Sequence, residues 1–478
     1  MQTNANGMNV LLIAPPVENK VKYFQGWQLS VSDYGSFPPL GLLYIATVLK
    51  QNMPEANIKL IDSLPEKRDY PEIEGIIRNF KPDIVGVSAF SVCLVDVLKV
   101  ARLAKQINSH IHVCIGGPHL SIYPQQTLRQ PEVDSIVIGE GEDVFLELAR
   151  QIKEGKLKQG INGLYFKPDL NKGNFQKADA VDLDKLPFFS LDFIRRDIYF
   201  STVGRQRNII TLLSSRGCPY RCAFCDVPYK NFRERKIDNI LEEIKLRLRQ
   251  GYREIFFYDD TFNMTSQRVI ALSQRIIDAR LDFEWSFRGR VNTLTYDMLK
   301  IARRASCRRI HFGIETATNE GLAEIKKGIT IEQVRDALAW CRRLKIKTIG
   351  DFIIGLPFEK SRKDVVGNIG RFMEFAPDYG QFNFLQPLPG TEIYESGIQQ
   401  GIIDPQGWED FARSPSADFQ PPLWTQYLSK ADLAELLYYA YRRYYIRPGY
   451  ILASLASLRT ASEFRRVIKG GLKILFKC

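Results

Sequence analysis

The sequence reads Arg216-Gly217-Cys218-Pro219-Tyr220-Arg221-Cys222-Ala223-Phe224-Cys225 near its middle, and the three cysteines of this stretch have the spacing C-x-x-x-C-x-x-C. Thiolates are soft ligands that hold iron–sulfur clusters, and a cluster of four irons offers four ligand positions. Three cysteines leave one iron open to a substrate or cofactor. A ferredoxin or a zinc site would need further ligands, but the nearest other cysteines are Cys114 and Cys307. The alternative reading is three unrelated thiols.

The length and composition of the chain indicate a folded protein of several domains. Its 478 residues exceed one ordinary hydrophobic core, so two or three domains are expected. Hydrophobic residues make up 45% and charged residues 25%, which is typical of a folded soluble protein. We expect no secretory signal, because the apolar run 9–14 is short and meets Pro15-Pro16, and no membrane span. A reducing cytoplasm suits an exposed iron–sulfur cluster.

The first third of the chain alternates short apolar runs with helical patterns, which predicts a parallel sheet with helices on both faces. The predicted strands are 10–14, 58–61, 84–88, 112–115 and 135–138, and the predicted helices are 40–51, 72–80, 92–108, 121–129 and 142–154. Such sheets bind ligands beyond the carboxyl ends of their strands. Any one loop there could be ordinary turn chemistry, but three distinctive loops on one edge favour a ligand. The residues concerned are Ser88, Gly116, Gly117, His119, Gly139 and Glu140.

Phosphate-binding signatures are missing from this segment, since neither G-x-G-x-x-G nor a P-loop is found. A nicotinamide or nucleoside triphosphate site therefore lacks support. Residues 161–166 and 175–178, on either side of Asn171-Lys172-Gly173-Asn174, are predicted to form a hairpin. Residues 182–193 are predicted to be a surface linker.

A second alternating segment begins at Asn208 and predicts a partial barrel of six strand–helix units. The predicted strands are 209–214, 254–258, 283–287, 309–314, 347–354 and 380–385, and the predicted helices are 238–250, 266–279, 296–305, 331–344 and 362–375. In such barrels, chemistry gathers at the carboxyl ends of the strands. The cysteine stretch directly follows the first of these strands, as this rule requires.

Polar residues and turns also follow the other strands of this segment. They are Asp259, Asp260, Arg288, Arg290, Glu315, Gly355 and Gln386. Each has an ordinary structural explanation: Asp260 could cap a helix, and either arginine could pair with surface acids. Together they would ring one mouth with carboxylates, guanidinium groups and exposed backbone, which suits a zwitterionic ligand that carries a ribose and an adenine.

The cysteine stretch resembles the signature of radical S-adenosylmethionine (SAM) enzymes, and the resemblance covers about 208–390. The preceding segment, with Gly116-Gly117-Pro118-His119 and Gly139-Glu140-Gly141-Glu142, is similar to the cobalamin-binding domain found upstream in one subgroup. That subgroup includes class B C-methyltransferases, the anaerobic magnesium-protoporphyrin ester cyclase and hopanoid-modifying enzymes. Tyr258-Asp259-Asp260-Thr261-Phe262, Phe312-Gly313-Ile314-Glu315 and Ile354-Gly355-Leu356-Pro357 are similar to it as well.

The resemblance implies an α/β chain in four parts. These are a Rossmann-like, doubly wound cobalamin-binding domain (1–155), a hairpin and linker (156–204), a partial (β/α)6 radical SAM barrel (205–400) and a mainly helical, basic C-terminal region (401–478).

The resemblance also implies a role for each candidate residue. Cys218, Cys222 and Cys225 would hold a 4Fe–4S cluster whose open iron is chelated by SAM. Asp259 or Asp260 would accept from the amino group of SAM, Arg288 or Arg290 would pair with its carboxylate, and Glu315 would bind its ribose, with Gly355 and Gln386 completing the set. The cobalamin residues would be Ser88, Gly116, Gly117, His119, Gly139, Glu140 and Trp27.

One departure from the family concerns the lower face of cobalamin. Many cobalamin domains carry D-x-H-x-x-G after the first strand, and its histidine binds cobalt. Here that loop, 17–39, contains no histidine. Trp27, Tyr23 or Tyr34 could cover the lower face, although each could equally anchor the loop. A domain that has lost cobalamin is the alternative.

The function implied by the resemblance is reductive cleavage of SAM to a 5′-deoxyadenosyl radical, which abstracts hydrogen from an unactivated carbon, most simply for C-methylation. The cofactors supply the chemistry and the protein orients them. A ring-forming, rearranging or oxidising radical enzyme is the alternative within the family. A cobalamin- or redox-sensing binding protein is the alternative from another class. An external electron donor of flavodoxin or ferredoxin type is implied as well.

The chain has a net charge of +12, and the excess is concentrated in its tail. From Arg442 to Cys478 there are nine lysine and arginine residues against one glutamate. Residues 462–478 have the spacing of a basic amphipathic helix, which favours either peripheral contact with an anionic inner membrane or docking on the barrel. A small-molecule substrate of lipid or isoprenoid type is one hypothesis. Nucleic acid is disfavoured, because no recognition module is present.

Overall fold

A computed structural model describes residues 7–22, 35–157, 160–204 and 208–457. They form two compact units. The first contains residues 7–22, Ser36–Tyr199 and Pro405–Pro421, and the second contains Phe200–Asp404 and the chain from Pro422 onward. Trp27, with the other aromatic residues named for its loop, and the basic segment 462–478 lie outside the described residues. Within those ranges, no helix is both long enough and apolar enough to cross a membrane.

The first unit is built on a six-stranded sheet. Its strands are β1 (Asn9–Ala14), β3 (Asn57–Asp62), β4 (Ile84–Ser88), β5 (His112–Gly116), β6 (Ser135–Val137) and β7 (Leu164–Phe166), and a two-residue strand β2 (Gly35–Ser36) lies between β1 and β3 in sequence. The order β3-β1-β4-β5-β6-β7 is parallel except for β7, which runs antiparallel to β6. The chain order therefore reverses between β1 and β4, where doubly wound sheets bind their ligands.

In the described ranges before residue 160, six helices accompany this sheet. They are α1 (Leu40–Asn52), α2 (Ser63–Glu66), α3 (Tyr70–Phe80), α4 (Leu94–Ile107), α5 (Pro124–Leu128) and α6 (Glu142–Glu154). The run from Val10 to Ile13 is fully buried, because helices exclude water from both faces of a parallel sheet. The predicted Rossmann-like alternation is therefore confirmed.

The predicted hairpin at 161–178 is wrong. Only Leu164–Phe166 is a strand, and its ladder hydrogen bonds go to β6 rather than to residues 175–178. The chain then enters a 3-10 helix, Lys167–Lys172, because the Asp169 carboxylate accepts from the Phe166 backbone N–H at 2.8 Å. The loop signal at 171–174 marks the end of that helix instead of a hairpin turn.

The second unit is built on six parallel strands. They are β9 (Ile209–Leu212), β12 (Glu254–Phe257), β13 (Glu284–Gly289), β14 (Cys307–Glu315), β15 (Lys347–Ile354) and β16 (Tyr379–Phe384), with two-residue strands β8 (Phe200–Ser201), β10 (Ser215–Arg216) and β11 (Arg233–Glu234). The six lie in chain order, as the predicted partial barrel requires.

Helices alternate with these strands. They are α7 (Ile237–Arg249), α8 (Ser266–Asp278), α9 (Tyr296–Arg304), α10 (Asn319–Glu324), α11 (Ile331–Arg343), α12 (Arg362–Phe375) and α13 (Glu392–Gln399), followed by α15 (Lys430–Tyr445) and α16 (Pro448–Ser457). Hydroxyl side chains cap most of them: Thr265, for example, accepts from the third backbone N–H of α8. Asp260 is therefore not the cap of this helix.

The two faces of the second sheet differ in chemistry. Phe352 of β15 and Phe382 of β16 pack on Phe372 of α12, with ring centroids 4.8 and 5.4 Å apart. Successive side chains of a strand point to opposite faces. Asp351, beside Phe352, and its register partner Gln381 therefore point to the inner face of the sheet.

The segment Pro405–Pro421 returns to the first unit. It contains α14 (Gly407–Arg413). Its helix contacts α5, and the Gln130 side chain donates to the Arg413 carbonyl at 3.0 Å. The sequence-based boundary at residue 400 does not anticipate this return.

Candidate functional site

The cysteine stretch forms a loop between β10 and β11, which pair with each other. Gly217 opens the loop at φ +85°, and a Cβ there would lie 2.4 Å from the Asn231 carbonyl oxygen. Only glycine adopts this conformation at such close approach without strain. The Cys218 N–H donates to the Tyr229 carbonyl at 2.9 Å and so closes the base of the loop.

The far side of the loop is fixed at Ala223. Its N–H donates to the Ile325 carbonyl, and its own carbonyl accepts from the Ile393 N–H, both at 2.9 Å. Ala223 is also part of a buried cluster with Leu356 and Trp424. The backbone that carries the three cysteines is therefore fixed from both sides by contacts within the protein.

None of the three cysteine thiols is in a disulfide. Cys218 is buried with Sγ 3.4 Å from Thr261 Oγ1, and Cys222 and Cys225 are half-buried. Burial raises the pKa of the Cys225 thiol, so a bound metal would be needed to keep it as a thiolate. No three His, Cys, Asp or Glu side chains in the described ranges converge on one metal ion. Three soft donors spread along one fixed loop suit a cluster in which each thiolate binds a different iron.

Asp259 and Asp260 have different environments. The Asp259 carboxylate is fully buried and accepts from the backbone N–H of Ser214 and the hydroxyl of Ser215, both at 2.7 Å, and also from the Ser214 hydroxyl. Burial raises the pKa of Asp259, and these hydrogen bonds oppose the rise. Asp259 therefore anchors the strand end that leads into the cysteine loop.

Asp260 lies on the accessible side of the same turn. Burial of its carboxyl group raises its pKa, while the Gly217 backbone hydrogen bond and the Arg288 guanidinium oppose the rise. Of the two predicted acceptors for the amino group of SAM, Asp260 is the one whose side chain is open to a ligand.

The two predicted arginines also differ. The Arg288 guanidinium lies 4.3 Å from the centroid of the Tyr258 ring, and its Nε is buried without a hydrogen-bond partner in the described part of the chain. The Arg290 guanidinium instead contacts Tyr220 and Cys222 of the cysteine loop. Arg288 therefore retains donors for an anionic ligand.

Glu315 lies at a β-bulge between β14 and β15, at φ +69°. Its Oε1 accepts from Lys327 Nζ at 2.7 Å. A Cβ at Gly313 would lie 2.3 Å from that oxygen, so glycine is needed for this pair to form. Burial raises the pKa of Glu315 and Lys327 opposes the rise. The ion pair occupies one of the two oxygens that the sequence assigns to ribose binding.

The last two predicted SAM residues are Gly355 and Gln386. Gly355 has φ +78°, and its N–H donates to Glu359 Oε2 at 2.7 Å. Its backbone is thus engaged within the protein. Gln386 is half-buried, and its side chain makes no hydrogen bond within the described ranges.

The inner face of the sheet carries polar residues that sequence reasoning missed. His311 Nε2 and Asp351 Oδ1 form a hydrogen bond of 2.8 Å across β14 and β15. Arg288 is the register partner of His311 on β13, and Gln381 is that of Asp351 on β16. The alternation of polar residues with buried aromatic residues along these strands is the signal that could have identified them.

In the first unit, the predicted cobalamin residues fall into two groups. Ser88 and Gly116 end adjacent strands as register partners. Gly117 has φ +112°, and a Cβ there would lie 2.6 Å from the Ala89 carbonyl oxygen. His119 is 1% exposed; Nδ1 hydrogen-bonds to Ser91 Oγ at 2.8 Å, and Nε2 has no partner in the described part of the chain.

Burial lowers the pKa of His119 to about 3, so the imidazole is neutral at neutral pH. Its unpartnered Nε2 is a buried polar atom of the kind that a bound ligand satisfies. This first group, which lies beside the point where the strand order reverses, therefore fits a cofactor.

The second group, Gly139 and Glu140, contacts the chain itself. A Cβ at Gly139 would lie 2.9 Å from the Ala178 nitrogen, and Glu140 Oε2 accepts from the Val181 N–H at 2.8 Å. These two residues fix the segment 178–181 over the end of β6. Contacts within the protein therefore account for the residue types at these two positions.

Comparisons with known proteins agree with this division of the chain. The B12 binding domain family model matches residues 29–149, and the Radical SAM superfamily model matches residues 212–365. An uncharacterized methyltransferase of Pyrococcus horikoshii is 32% identical over 98% of this chain and 99% of its own length. The chain belongs to the cobalamin-binding radical SAM enzymes.

One further relative and one solved structure are also similar to this cobalamin-binding radical SAM enzyme. The anaerobic magnesium-protoporphyrin IX monomethyl ester cyclase of Rubrivivax gelatinosus is 24% identical over 93% of this chain and 79% of its own length. The cobalamin-dependent SAM radical enzyme OxsB has the same fold, with a TM-score of 0.69 and 19% identity over 97% of this chain and 70% of its own.

Family membership confirms the predicted cofactors, which are a 4Fe–4S cluster, SAM and cobalamin. It also confirms the predicted fold class, a doubly wound domain followed by a partial barrel. The individual ligand residues named above stay predictions.

Proposed function

We propose that the protein is a cobalamin-dependent radical SAM methyltransferase that acts on an unactivated carbon of a small molecule. The observation that carries the proposal is the loop with Cys218, Cys222 and Cys225, fixed at the carboxyl edge of a six-stranded parallel sheet. The full-length similarity to a methyltransferase supports the same reaction type. A binding protein with a purely structural cluster would not need the donor that Arg288 keeps available for an anionic ligand.

The residues of the chain have distinct tasks in this proposal. Cys218, Cys222 and Cys225 hold the cluster, Arg288 pairs with the carboxylate of SAM, and Asp260 accepts from its amino group. When bound, the cluster supplies the electron that cleaves SAM to methionine and a 5′-deoxyadenosyl radical, and cobalamin supplies the methyl group.

The substrate is expected to contact the inner face of the sheet. His311, Asp351 and Gln381 present both donors and acceptors there, and Asn383 at the end of β16 is exposed. A molecule with hydrogen-bonding groups beside the reacting carbon suits this surface. An external flavodoxin or ferredoxin would deliver the electron, and the reaction would then belong to the cytoplasm.

The proposal is tested by anaerobic reconstitution with iron, sulfide and cobalamin, followed by addition of SAM and a reductant. We expect 5′-deoxyadenosine, and S-adenosylhomocysteine only when cobalamin is present. The Cys222→Ala variant should form neither product, because the cluster loses a ligand. No 5′-deoxyadenosine from the cluster-loaded wild type would contradict the enzyme function.

A ring-forming reaction is the second candidate, because the Rubrivivax cyclase aligns over 93% of this chain. The same assay separates the two candidates. 5′-Deoxyadenosine without S-adenosylhomocysteine, in protein shown to contain cobalamin, would favour the cyclase-like reaction.

A lipid or isoprenoid substrate and peripheral membrane contact through 462–478 also stay predictions. They are motivated by the basic amphipathic pattern of that segment. Binding to anionic liposomes at low salt, lost when 462–478 are removed, would support them. Equal binding with and without the segment would argue against a membrane role for it.

A further inference from the structure

The guanidinium of Arg290 packs against the cysteine loop. Its Cζ is 3.7 Å from the centroid of the Tyr220 ring, and Nη1 is 3.8 Å from Cys222 Sγ. Arg290 is 7% exposed. Nη1 is within hydrogen-bonding distance of a sulfur, so a cation approaches one of the three cluster ligands directly.

Other contacts fix this orientation. Nη2 donates to the Lys327 carbonyl, and Nε donates to Asn292 Oδ1 at 3.2 Å. The Asn263 side-chain amide accepts from the Arg290 backbone N–H at 2.9 Å and donates to the Arg290 carbonyl at 2.8 Å. A Cβ at Gly289 would lie 2.3 Å from Asn263 Oδ1, so glycine at this position permits the arrangement. The side chain is thus preorganised toward Cys222.

No carboxylate in the described part of the chain pairs with the charge of Arg290. All of its hydrogen bonds in the described part of the chain go to neutral groups or to the Cys222 sulfur. Arginine stays protonated in proteins, and a buried charge is costly unless it is paired. Thiolates that bind iron would supply the missing negative charge.

Arg288 provides an internal contrast. It lies two residues earlier, on β13, whereas Arg290 directly follows that strand. Arg288 stacks on Tyr258 and keeps a buried Nε without a partner in the described ranges. Arg288 therefore has a donor available for a soluble anion, whereas the donors of Arg290 are engaged by Asn292, Lys327 and Cys222. Of the two arginines in Arg288-Gly289-Arg290, the first is thus available to an anionic ligand and the second contacts the cysteine loop, a difference that the sequence alone does not reveal.

We infer that Arg290 is a positioning residue of the cysteine loop and that its buried cation raises the reduction potential of the cluster held there. Reduction adds one electron and makes the cluster more negative, so a fixed neighbouring cation stabilises the reduced form. A higher potential eases electron transfer from an external donor. The inference rests on the cluster site, and therefore on the proposed function.

The test compares the midpoint potentials of reconstituted wild type, Arg290→Gln, Arg290→Lys and Arg288→Gln, each with its iron and sulfide content measured. Potentials are read by electron paramagnetic resonance during reductive titration. We expect a lower potential for Arg290→Gln, a smaller decrease for Arg290→Lys, and the wild-type value for Arg288→Gln. Binding of SAM should instead weaken at least tenfold in Arg288→Gln.

A fully loaded Arg290→Gln protein with the wild-type potential would overturn the inference, as would equal decreases in the 290 and 288 variants. If Arg290→Gln does not assemble a cluster, pulsed resonance on reduced, 15N-arginine-labelled wild type decides. A coupled arginine nitrogen that disappears in Arg290→Lys is expected, and its absence would overturn the inference. A wild-type protein that binds no cluster would instead contradict the proposed function.

Discussion

At the scale of single residues, the burial of Asp62 makes the free energy of unfolding depend on pH. It ends β3 and is 7% exposed, and its Oδ2 accepts from the Tyr199 hydroxyl at 2.9 Å. Burial raises the pKa of Asp62 to about 7, and the hydrogen bond from Tyr199 opposes the rise. The folded protein therefore binds a proton that the unfolded chain releases near pH 4.

We predict that Asp62→Asn removes part of the pH dependence of stability. Because the folded-state pKa is raised, this carboxyl group stabilises the fold fully below about pH 4, and that contribution is lost as the pH rises toward 7. The substituted asparagine carries no ionisable group, so the variant should gain stability over the wild type between pH 5 and 8, by up to a few kcal/mol at ~1.4 kcal/mol per pK unit.

The measurement is urea unfolding of wild type and Asp62→Asn across that pH range. Asp179→Asn, which alters an exposed carboxyl group of the same unit, is the matched control and should show a constant difference. A constant difference for Asp62→Asn as well would show that the burial of Asp62 is not linked to stability.

The same scale shows the limit of reading site residues from a sequence. Asp259 and Asp260 are adjacent residues of the same type, and both follow a strand. Only the structure reveals that Ser214 and Ser215 reach back to Asp259, a contact between residues 44 or 45 positions apart. The sequence identified the right turn, but it could not assign the two carboxylates, because opposite side-chain directions give them opposite environments.

At the scale of elements, the cysteine loop depends on one glycine. Gly217 and Gly251 both have positive φ, but a Cβ at Gly217 would clash with the Asn231 carbonyl, whereas a Cβ at Gly251 would meet nothing within 4 Å. An alanine at Gly251 would therefore introduce backbone strain alone, whereas an alanine at Gly217 would add a steric clash.

We predict that Gly217→Ala greatly reduces iron incorporation, because the loop must shift to accept the methyl group. Gly251→Ala should load iron normally and lose only ~1 kcal/mol of stability from the strained backbone. Iron content per chain after reconstitution, with the unfolding midpoint of each variant, is the measurement. Normal iron content in Gly217→Ala would mean that the loop adapts.

The inner-face pair of β14 and β15 permits a second test at this scale. We predict that His311→Asn and Asp351→Asn keep substrate-free formation of 5′-deoxyadenosine within about twofold, because neither residue is assigned to SAM. Both variants should lose substrate methylation by tenfold or more, since a charge-assisted or neutral hydrogen bond to a substrate contributes ~1–3 kcal/mol. Equal loss of both activities would place the pair in SAM binding instead.

The sequence predicted the regular elements well. Apolar runs and helical spacing located every strand of both main parallel sheets to within two residues at most ends, because these strands are buried on both faces. The hairpin predicted at 161–178 is the exception, because the turn signal at 171–174 predicts a strand pairing that does not form. Tertiary packing, which a local turn signal does not report, decides which strand pairs with β7, and in the structure that strand is β6.

At the scale of the whole molecule, the return of Pro405–Pro421 to the first unit is the least predictable feature. Trp408 is fully buried, and the ring of Phe419 lies 5.0 Å from it and 4.3 Å from the ring of Phe411. No periodic pattern marks this segment as part of the first unit, because it is separated from that unit in sequence by the entire second sheet.

We predict that Trp408→Ala destabilises the first unit by ~3–5 kcal/mol, the usual cost of removing a large buried side chain. Hydrogen exchange should show reduced protection in β4 of the first unit and little change in β14 of the second. Leu64→Ala, at an exposed position of the first unit, is the control and should change stability by less than ~0.5 kcal/mol. Equal loss of protection in β4 and β14 would argue against a separate first unit.

The returning segment also bears on how such a protein could be recombined. A crossover at residue 200 would transfer the first sheet without the helix that covers α5, and would leave Trp408 in a host that has no place for it. The first unit is therefore not a contiguous cassette. A chimera that exchanges it would need three junctions, one before Phe200 and one at each end of 405–421. Inheritance of both parts together would therefore be favoured over exchange of one contiguous piece.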